Sequence, residues 1–578
     1  MIAITDLDYY IGDRAIYDSA SIHIHPKDKI GLIGLNGTGK STLLRLIAGE
    51  FKPTSGEISM ANKCSLGFLN QDLLSFQSDE SILDVVMQAF ADILKIQKEI
   101  NVILKKMEHD YSESLMNKLA TLQEQFETHE GYKLQAKGEE ILEGMGFTTT
   151  DLPRPLREFS GGWRMRVMLA KLLLEKPDLL MLDEPTNHLD LPSIQWLEDY
   201  LKNYEGAFII VSHDKEFLDK TVEKIVEVEH ASLQIYNGNY SFFENEKAQR
   251  KEIYENTYKN QQQKIKQTER FIERFRAKST KASQVQSRIK ALEKMDVLDE
   301  LVENTHDLNI KFKVSERSGK EVITLKNISK SYGDIHILNS TSAMITRGDK
   351  IALIGPNGKG KSTVLRIIAG TESFEGQRVT GHNFKESFYA QHQLESLSLE
   401  ENILDELKLM GTQHTEQELR TLLGCFLFTG EEIFKKIKVL SGGEKSRVAL
   451  AKTLIDNANF LMLDEPTNHL DFLSINVLVE ALNNYDGTCI FVSHDRDFIR
   501  NVANKIWYID NQQIKEYPGS FDDYMWWYQN RKKEIDKGTG QIVESQPSKK
   551  KNSDFRGKDD KAKEINRLQK EVASIESD

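Results

Sequence analysis

Four short motifs occur twice in this sequence, in the same order. They are a glycine-rich stretch at residues 34–41 and 355–362, Ser-Gly-Gly at 160–162 and 441–443, Leu-Asp-Glu-Pro-Thr-Asn-His-Leu-Asp at 182–190 and 463–471, and Val-Ser-His-Asp at 211–214 and 492–495. The serine of the second motif precedes the first aspartate of the third by 23 residues in both halves (160 to 183, 441 to 464). Matched order and spacing indicate two copies of one domain in a single chain.

Composition narrows the class of protein further. The chain has 578 residues, of which 39% are hydrophobic and 29% charged. No run approaches the roughly 18–20 apolar residues of a membrane helix, and the first residues lack the basic segment of a signal peptide. The three cysteines are far apart and form no C-x-x-C pair, which argues against disulfides and zinc and favours a reducing, cytoplasmic location. The net charge of −13, taken alone, argues against a nucleic-acid partner.

Spacing also locates the segments outside the repeat. Gln71 lies 89 residues before Ser160, whereas Gln391 lies 50 before Ser441, so the first copy carries an insertion of about 39 residues (89 less 50). Apolar residues at helical spacing near residues 85–138 predict a two-helix projection, although a plain surface helix pair fits the pattern equally well. The predicted organisation is a first copy of the repeated domain at 1–243, a basic helical linker at 244–313, a second copy at 314–530 and a tail at 531–578.

The linker and the tail differ in character. Residues 264–290 contain nine lysines or arginines and two acids, a local charge of +7. Almost no Gly or Pro interrupts this segment, which indicates helices and not a flexible connection. The tail is Lys-rich and polar and is predicted to be disordered up to about residue 563. Ile565, Leu568, Val572 and Ile575 then have the spacing of the start of a coiled coil.

The glycine-rich stretches are typical of a phosphate-binding loop. Each has the pattern G-x-x-x-x-G-K-S between an apolar run that reads as a strand and a segment that reads as a helix. Backbone N–H groups of such a loop surround phosphate oxygens, the lysine neutralises the β- and γ-phosphates, and the serine hydroxyl binds Mg²⁺. The candidate ATP-binding residues of these loops are Gly34, Leu35, Asn36, Gly37, Thr38, Gly39, Lys40, Ser41 and Thr42, with Gly355, Pro356, Asn357, Gly358, Lys359, Gly360, Lys361, Ser362 and Thr363.

Two adjacent acids follow a short apolar run in each copy. The runs read as central parallel strands, whose carboxyl ends are where ligands of α/β proteins bind. Asp183 and Asp464 therefore suit the Mg²⁺ shell together with Ser41 and Ser362. Glu184 and Glu465 lie one position further on and can polarise a water. Such acids can also merely cap a helix, a less favoured interpretation behind a phosphate-binding loop.

This set of motifs resembles ABC-type ATPases, and more specifically the ABC-F family. The second likeness rests on the Asn187-His-Leu-Asp190 segment with its copy, two cassettes in one chain, the lack of a membrane segment and the basic helical linker. The resemblance covers about residues 1–528. It implies an intramolecular, head-to-tail pair of cassettes in a monomer, with each ATP lying between the phosphate-binding loop of one cassette and the Ser-Gly-Gly segment of the other.

The resemblance also implies roles for individual residues. Glu184 and Glu465 look like catalytic carboxylates, His213 and His494 like histidines that contact the γ-phosphate, and Gln71 and Gln391 like Mg²⁺ ligands. The opposing cradles are Ser160, Gly161 and Gly162, and Ser441, Gly442, Gly443 and Glu444. Two positions differ between the copies: Tyr332, the expected adenine-stacking residue, corresponds to Ile11, and Glu444 corresponds to Trp163.

Three hypotheses for the whole protein follow. In the first, the chain is an ATP-dependent translation factor at the exit site of the ribosome, with the linker directed toward tRNA and the peptidyl-transferase centre. The candidate RNA-binding residues are Lys266, Arg270, Arg274, Arg276, Lys278, Lys281, Arg288 and Lys290. A solvated coiled-coil hairpin explains the same charges. The other hypotheses are a DNA-binding repair ATPase and the cytosolic ATPase subunit of a transporter.

Overall fold

The structure, a computed structural model, describes most of the chain. The described residues are 1–70, 77–107, 112–129, 131–275, 281–295, 316–333, 335–390, 397–409, 414–428, 430–468 and 470–536. The chain divides into two units, Met1–Phe521 and Asp522–Asp578, and the first contains both copies of the repeated domain. Within the described residues, no helix is both long and apolar enough to cross a membrane.

The first copy is built on a six-stranded sheet beside a smaller antiparallel sheet. Its strands are β1 (Ile2–Ile11), β2 (Arg14–Ile24), β3 (Lys29–Ile33), β4 (Ser55–Met60), β5 (Leu66–Leu69), β6 (Leu179–Asp183), β7 (Ala207–Val211), β8 (Lys224–Glu229) and β9 (Ser232–Tyr236). The large sheet has the order β5-β6-β7-β3-β8-β9, parallel except for the β8–β9 pair. The small sheet has the order β2-β1-β4.

Alternating side chains of the central strands enter two different cores. Leu180 and Leu182 of β6 pack in one hydrophobic cluster, whereas Leu179 and Met181 pack in another. This follows from the two-residue period of a strand and explains why the run has no polar position. The first acid after the run, Asp183, consequently emerges at the carboxyl edge of the sheet.

Helices cover both faces of this sheet. The helices of the first copy are α1 (Lys40–Ile47), α2 (Ile82–Met87), α3 (Ala91–Met107), α4 (Glu113–Thr128), α5 (Leu134–Gly144), α6 (Gly161–Glu175), α7 (Leu191–Lys202) and α8 (Lys215–Thr221). Helices α3 and α4 pack against each other and lie within the segment predicted as an inserted projection. Val85, at the start of that segment, belongs to α2 and is buried in the cassette core.

Two helices lie in the linker. They are α9 (Tyr240–Phe275) and α10 (Ala282–Glu293), which pack against each other. Helix α9 has 36 residues and begins four positions before the predicted boundary at 244. Its first turn is apolar and joins the cassette core through Tyr240 and Phe243, so the linker grows directly out of the first cassette.

The second copy repeats the architecture. Its elements are β10 (Glu321–Tyr332), β11 (Ile335–Thr346), β12 (Lys350–Ile354), α11 (Lys361–Ala369), β13 (Glu375–Thr380), β14 (Glu386–Tyr389), α12 (Ile403–Lys408), α13 (Glu416–Cys425), α14 (Gly442–Ile455), β15 (Phe460–Asp464), α15 (Phe472–Asn483), β16 (Thr488–Val492), α16 (Arg496–Val502), β17 (Lys505–Asp510), β18 (Gln513–Tyr517) and α17 (Phe521–Asp536). The large sheet has the order β14-β15-β16-β12-β17-β18, the counterpart of the first. The predicted α/β class with two tandem cassettes is confirmed.

One prediction about the tail is wrong in part. Helix α17 continues to Asp536, so residues 531–536 are helical and not disordered as predicted. The rest of the tail, including the predicted start of a coiled coil at Ile565, lies outside the described residues.

Candidate nucleotide-binding sites

Each phosphate-binding loop connects a central strand to the helix that begins at its lysine. Gly37 and Gly39 have φ of 78° and 109°, a left-handed backbone that only glycine adopts without strain. The Nζ of Lys40 donates to the carbonyl oxygens of Gly34 (2.8 Å) and Leu35 (3.1 Å). Lys361 makes the equivalent bond to Gly355 (2.7 Å) and also donates to the side-chain oxygen of Asn357 (2.9 Å). Both loops are thus curled around a buried ammonium group.

The loop of the first cassette opens into a cavity that both cassettes line. Its volume is about 470 Å³, within the roughly 300–1,000 Å³ range of ligand pockets. The lining residues are Ile11, Arg14, Ile16, Asn36, Gly37, Gly39, Lys40, Ser41, Thr42, Asp183, Glu184, Asn187, Val211, His213, Ser441, Gly442 and Gly443. The last three come from the second cassette, so the structure places this Ser-Gly-Gly segment opposite the loop of the first.

The other loop faces the first cassette in the same manner. The N–H of Asn357 donates to the carboxylate of Asp190 over 2.8 Å, and the N–H of Asn36 donates to that of Asp471 over 3.1 Å. A Cβ placed on Gly358 would lie 3.9 Å from Trp163, the residue after Ser160-Gly-Gly162. The cassettes therefore meet head to tail, and each phosphate-binding loop is tied to the opposite cassette by an aspartate.

Carboxylates line the edge of each central sheet beside the loop. Asp183 accepts a hydrogen bond from Ser41, and Asp464 accepts one of 3.3 Å from Ser362. Glu184 and Glu465 have φ of 51°, a left-handed backbone that is costly for a residue with a Cβ. Their N–H groups donate to Val211 and Val492, each over 2.9 Å, which holds this conformation. Strain maintained at two equivalent positions points to a functional use of these two side chains.

Each of these glutamates lies beside a histidine from the neighbouring strand. The Nε2 atoms of His213 and His494 lie 3.3 and 3.2 Å from the carboxylates of Glu184 and Glu465. Burial raises the pKa of both glutamates to about 8. Burial lowers the pKa of His213 to about 3 and that of His494 well below its ordinary value, so both imidazoles are neutral at pH 7. Burial therefore favours the protonated form of each glutamate, whereas the charges of Lys40 and Lys361 favour the carboxylate, which is the form that can accept a proton from water.

The two Ser-Gly-Gly segments differ at the position that follows. Ser441 and Glu444 form a reciprocal cap at the start of α14, in which the Ser441 hydroxyl donates to the Glu444 carboxylate over 2.6 Å. The first cassette has Trp163 there, and its ring stacks with the buried guanidinium of Arg166 at 4.5 Å. The opposing cradles are therefore chemically different, although Ser160 and Ser441 have nearly the same backbone angles (φ −65° and −64°, ψ 164° in both).

The residues present fit a magnesium ion in both sites. A hydroxyl and a carboxylate oxygen, hard donors of the type that Mg²⁺ prefers, are already within hydrogen-bonding distance in each. Among the described residues no group of three or more His, Cys, Asp or Glu could hold a metal by protein ligands alone. That composition suits an ion that also binds substrate phosphates. Gln71 and Gln391, the other expected ligands, lie outside the described residues.

Five of the eight candidate RNA-binding residues lie on the linker helices. Lys266, Arg270 and Arg274 are exposed on α9, and Arg288 and Lys290 are exposed on α10, whereas Lys281 is half-buried before α10. Arg288 stacks on Phe271 at 3.8 Å and so joins the two helices. Arg276 and Lys278 lie outside the described residues.

Several residues at the sites went unnoticed in the sequence. Arg166 is fully buried and donates to the carbonyl oxygens of His188 (2.9 Å) and Met145 (2.8 Å), which positions the segment carrying Asp190. Asp190 and Asp471 stand inside a repeated motif, and their repetition at matched spacing was the available signal. Arg496, paired with Glu198 of the other cassette, had no such signal because the partner is distant in sequence.

Two protein-family models match the chain. A protein-family model described as "ABC transporter" matches residues 17–187 and 338–468. A second model with the same description matches residues 226–312, which include the linker helices. Each cassette is thus matched separately, as the internal repeat indicates.

Individual relatives are similar over most of the chain. The "Probable ATP-binding protein YheS" of Haemophilus influenzae is 36% identical over 91% of this chain and 82% of its own length. The "ABC transporter F family member 5" of Arabidopsis thaliana is 35% identical over 86% of this chain and 73% of its own length. A solved structure titled "Model of ribosome-bound archaeal Pelota and ABCE1" matches with a TM-score of 0.56 at 17% identity, over 92% of this chain and 80% of the other.

Proposed function

The chain belongs to the ABC-F family of ATP-binding cassette proteins, and from this premise we propose that it hydrolyses ATP to switch between two states on the ribosome. The observation that carries the proposal is an exposed, basic helical hairpin placed between two ATP cassettes that share one interface. ATP supplies the energy of the switch, and the hairpin supplies the contact with RNA.

Chemistry at each site uses groups from both cassettes. In the first site Lys40 and the N–H groups of its loop bind the phosphates, and Ser441-Gly-Gly443 contacts the γ-phosphate from the opposite side. Glu184 accepts the proton of the attacking water. His213 contacts both the γ-phosphate and Glu184 and so fixes their relative position. Glu465 and His494 have these roles in the second site. Mg²⁺, held by Ser41 with Asp183 or by Ser362 with Asp464, neutralises phosphate charge when bound.

Hydrolysis removes the group that bridges the cassettes. The γ-phosphate lies between one loop and the opposing Ser-Gly-Gly segment, so its loss weakens the shared interface. Helix α9 begins at Tyr240, whose ring packs 5.3 Å from Phe472 of the second cassette. Opening of the interface is therefore transmitted to the base of the hairpin.

The surface of the hairpin is suited to RNA phosphates. Its exposed cations lie on two packed helices, while the whole chain carries a net charge of −13. Cations concentrated on one element in an acidic protein localise a polyanion to that element. The fold is shared with a structure whose title describes archaeal ABCE1 as ribosome-bound.

The first experiment traps the ATP state. With Glu184→Gln and Glu465→Gln together, we expect ATP to bind and persist, and the protein to co-sediment with 70S ribosomes when ATP is present and not with ADP. A protein that stays in the supernatant under both conditions contradicts the ribosomal function. Retardation of branched DNA by the same trapped protein would favour the DNA-binding alternative instead.

The second experiment tests the hairpin with a matched control. Arg270→Ala with Arg274→Ala removes two exposed charges, and Arg270→Lys with Arg274→Lys keeps them. If these arginines bind phosphates, the alanine pair weakens ribosome binding and lowers the salt dependence of log K by about 0.7–0.9 for each phosphate that is no longer neutralised, whereas the lysine pair changes little. Equal binding by the alanine pair, with ATPase activity intact, would exclude these arginines from the RNA-binding surface.

A further inference from the structure

The two nucleotide sites differ at the β-hairpin that borders the mouth of each phosphate-binding loop, which is β1–β2 in the first cassette and β10–β11 in the second. In the first cassette Ile11 of β1 pairs directly with Arg14 of β2. In the second, Tyr332 of β10 pairs directly with Ile335 of β11. The hairpins are otherwise equivalent, since Ile16 and Ile337 both pack against the last glycine of the loop before its lysine. A flat, π-rich side chain is therefore present at one mouth, and a guanidinium at the other.

The exchange extends to the neighbouring positions. Lys330, two residues before Tyr332, lies 4.6 Å from its ring and forms an ion pair of 2.7 Å with Glu372. The corresponding residues in the first cassette are Tyr9 and Phe51, which stack at 6.1 Å with an interplanar angle of 7°. Over the three compared positions (9, 11 and 14; 330, 332 and 335) each cassette has one cation and one aromatic ring, but the ring is at the mouth in the second cassette and stacks on Phe51 in the first.

The three tyrosines of the first β-hairpin contact other groups or point away from the mouth. Tyr9 stacks on Phe51, and Tyr17 is buried, with its hydroxyl donating to the carbonyl oxygen of Gly39 over 2.9 Å. Tyr10 precedes Ile11 on the same strand, so its side chain points to the opposite face of the sheet. Among the described residues, no tyrosine lines the 470 Å³ cavity.

Arg14 does line this cavity. Its Nη2 donates to the carbonyl oxygen of Gly37 over 3.1 Å, which fixes the guanidinium beside the turn of the loop, with Ile11 and Ile16 next to it. A guanidinium is planar, stays charged and stacks on π-systems, and arginine contributes to the binding of bases in this way. We propose that Arg14 is the base-stacking residue of the first site, in the role that the family resemblance implies for Tyr332 in the second.

The test measures nucleotide binding at the first site alone. It distinguishes an effect on binding of the adenine base from an effect on binding of the phosphates. In full-length protein with Lys361→Ala, to disable the second loop, and Glu184→Gln, to prevent turnover, the affinities for ATP and for inorganic tripolyphosphate are measured by calorimetry. Arg14→Ala should weaken ATP binding by about tenfold, the size of one base stacking interaction, and leave tripolyphosphate binding within about twofold. Equal weakening of both ligands would show that Arg14 only supports the loop through Gly37, and no change in either would also overturn the proposal.

A rescue and a mirror control complete the design. Arg14→Ile with Ile11→Tyr recreates the pair of the second cassette and should restore ATP affinity; failure to restore it counts against stacking at this mouth. In protein with Lys40→Ala and Glu465→Gln, Tyr332→Ala should weaken ATP but not tripolyphosphate, and Ile335→Ala should change neither. The proposal needs ATP binding at the first site but not a ribosome. Absence of any ATP binding there would overturn both proposals, whereas loss of ribosome binding would leave this one intact.

Discussion

The two halves of the cassette interface share a fold and a motif set but are held by different interactions. Around the first site, the His213 ring meets Phe472 of the other cassette at 5.0 Å, and Phe472 meets Tyr240 at the start of α9. Around the second, His494 lies 3.2 Å from the side-chain oxygen of Asn357, and the nearby Arg496 is buried in ion pairs across the interface. Leu191 and Lys215 stand at the positions equivalent to Phe472 and Arg496.

This difference follows from the place of the linker. Helix α9 follows the first cassette, and Tyr240 at its base packs against Phe472 of the second cassette, whereas Phe521 at the equivalent position begins α17. Lys215 accordingly pairs with Glu244 of α9 at 2.9 Å, whereas Arg496 pairs with Glu198 (2.7 Å) and Glu216 (3.0 Å) of the opposite cassette. We infer that the first half of the interface couples the nucleotide site to the linker, and that the second half contributes more to the stability of the interface.

The largest effect is expected when Glu184 and Glu465, the proposed catalytic residues, are substituted one at a time. Glu184→Gln alone and Glu465→Gln alone should each lower steady-state ATP turnover by about a hundredfold, the lower range for a lost general base. One trapped ATP holds both loops against the shared interface, so the intact site cannot cycle. Turnover assays with each purified variant check this. If half of the activity remained after either substitution, the two sites would turn over independently, and the shared interface would not couple them.

The ion pairs should make the second half the more stable one. Arg496→Met leaves Glu198 and Glu216 without their buried partner and is expected to lower the free energy of unfolding by about 3–5 kcal/mol. Lys215→Met, at the equivalent and more exposed position, is expected to change it by less than about 1 kcal/mol. Urea denaturation of both variants at pH 7 measures the difference. Equal losses would show that the two halves contribute alike.

A pH titration can separate two buried aspartates on the same interface. Burial raises the pKa of Asp214 to about 6 and that of Asp495 to about 7, and Arg496 lowers the pKa of Asp214 toward its ordinary value. A raised pKa means that the native state loses stability as pH rises above about 4 and stops losing it above the native pKa. Asp495→Asn removes this loss, so its advantage over wild type should grow from pH 4 to 7.

The charge of Asp214 also raises the pKa of Asp495, so Asp214→Asn removes part of that rise as well, and its advantage should grow most strongly up to about pH 6. At pH 8 we expect a gain on the order of 1–3 kcal/mol for Asp495→Asn and a smaller one for Asp214→Asn. Differences in melting temperature from wild type, measured across this range without nucleotide, provide the check. A constant difference at every pH would mean that neither carboxylate titrates with the fold.

The smallest effect is expected at the aromatic cluster of Phe472, His213 and Tyr240. Phe472→Leu recreates the residue of the other half and should lower the free energy of unfolding by about 1 kcal/mol, since His213 and Tyr240 would no longer pack against an aromatic ring. Hydrogen exchange in the first turn of α9 should accelerate. Leu191→Met is the matched control in the other half, where exchange of α9 should be unchanged. Unchanged exchange in Phe472→Leu would remove the link between the first site and the linker.

The sequence predicts those features of the sites that depend only on residues close together in the chain. The loop glycines, their lysines and the acids after apolar strands all follow from local patterns, because a strand edge and a helix start are fixed by neighbouring residues. The arrangement of the two cassettes came from the family resemblance. The left-handed backbone of Glu184 and Glu465 had no local signal, since neither is Gly or Asn.

Interactions across the interface were beyond local reasoning. Arg496 and Glu198 are separated by 298 residues, and nothing in either segment marks them as partners. Arg166 reads as an ordinary charge in a helix, yet it is fully buried among carbonyl oxygens. In both cases burial decides the role of a charge, and burial depends on how distant segments pack.

The length of α9 converts a small change at the interface into a large one elsewhere. At a rise of 1.5 Å per residue, its 36 residues span about 54 Å. A tilt of about 10° around Tyr240 then displaces the opposite end by about 9 Å, more than the rise of one helical turn. Under the proposed switch, the helix would act as a lever that pivots at the Tyr240–Phe472 ring pair, and the loss of one phosphate would displace its far end by this distance.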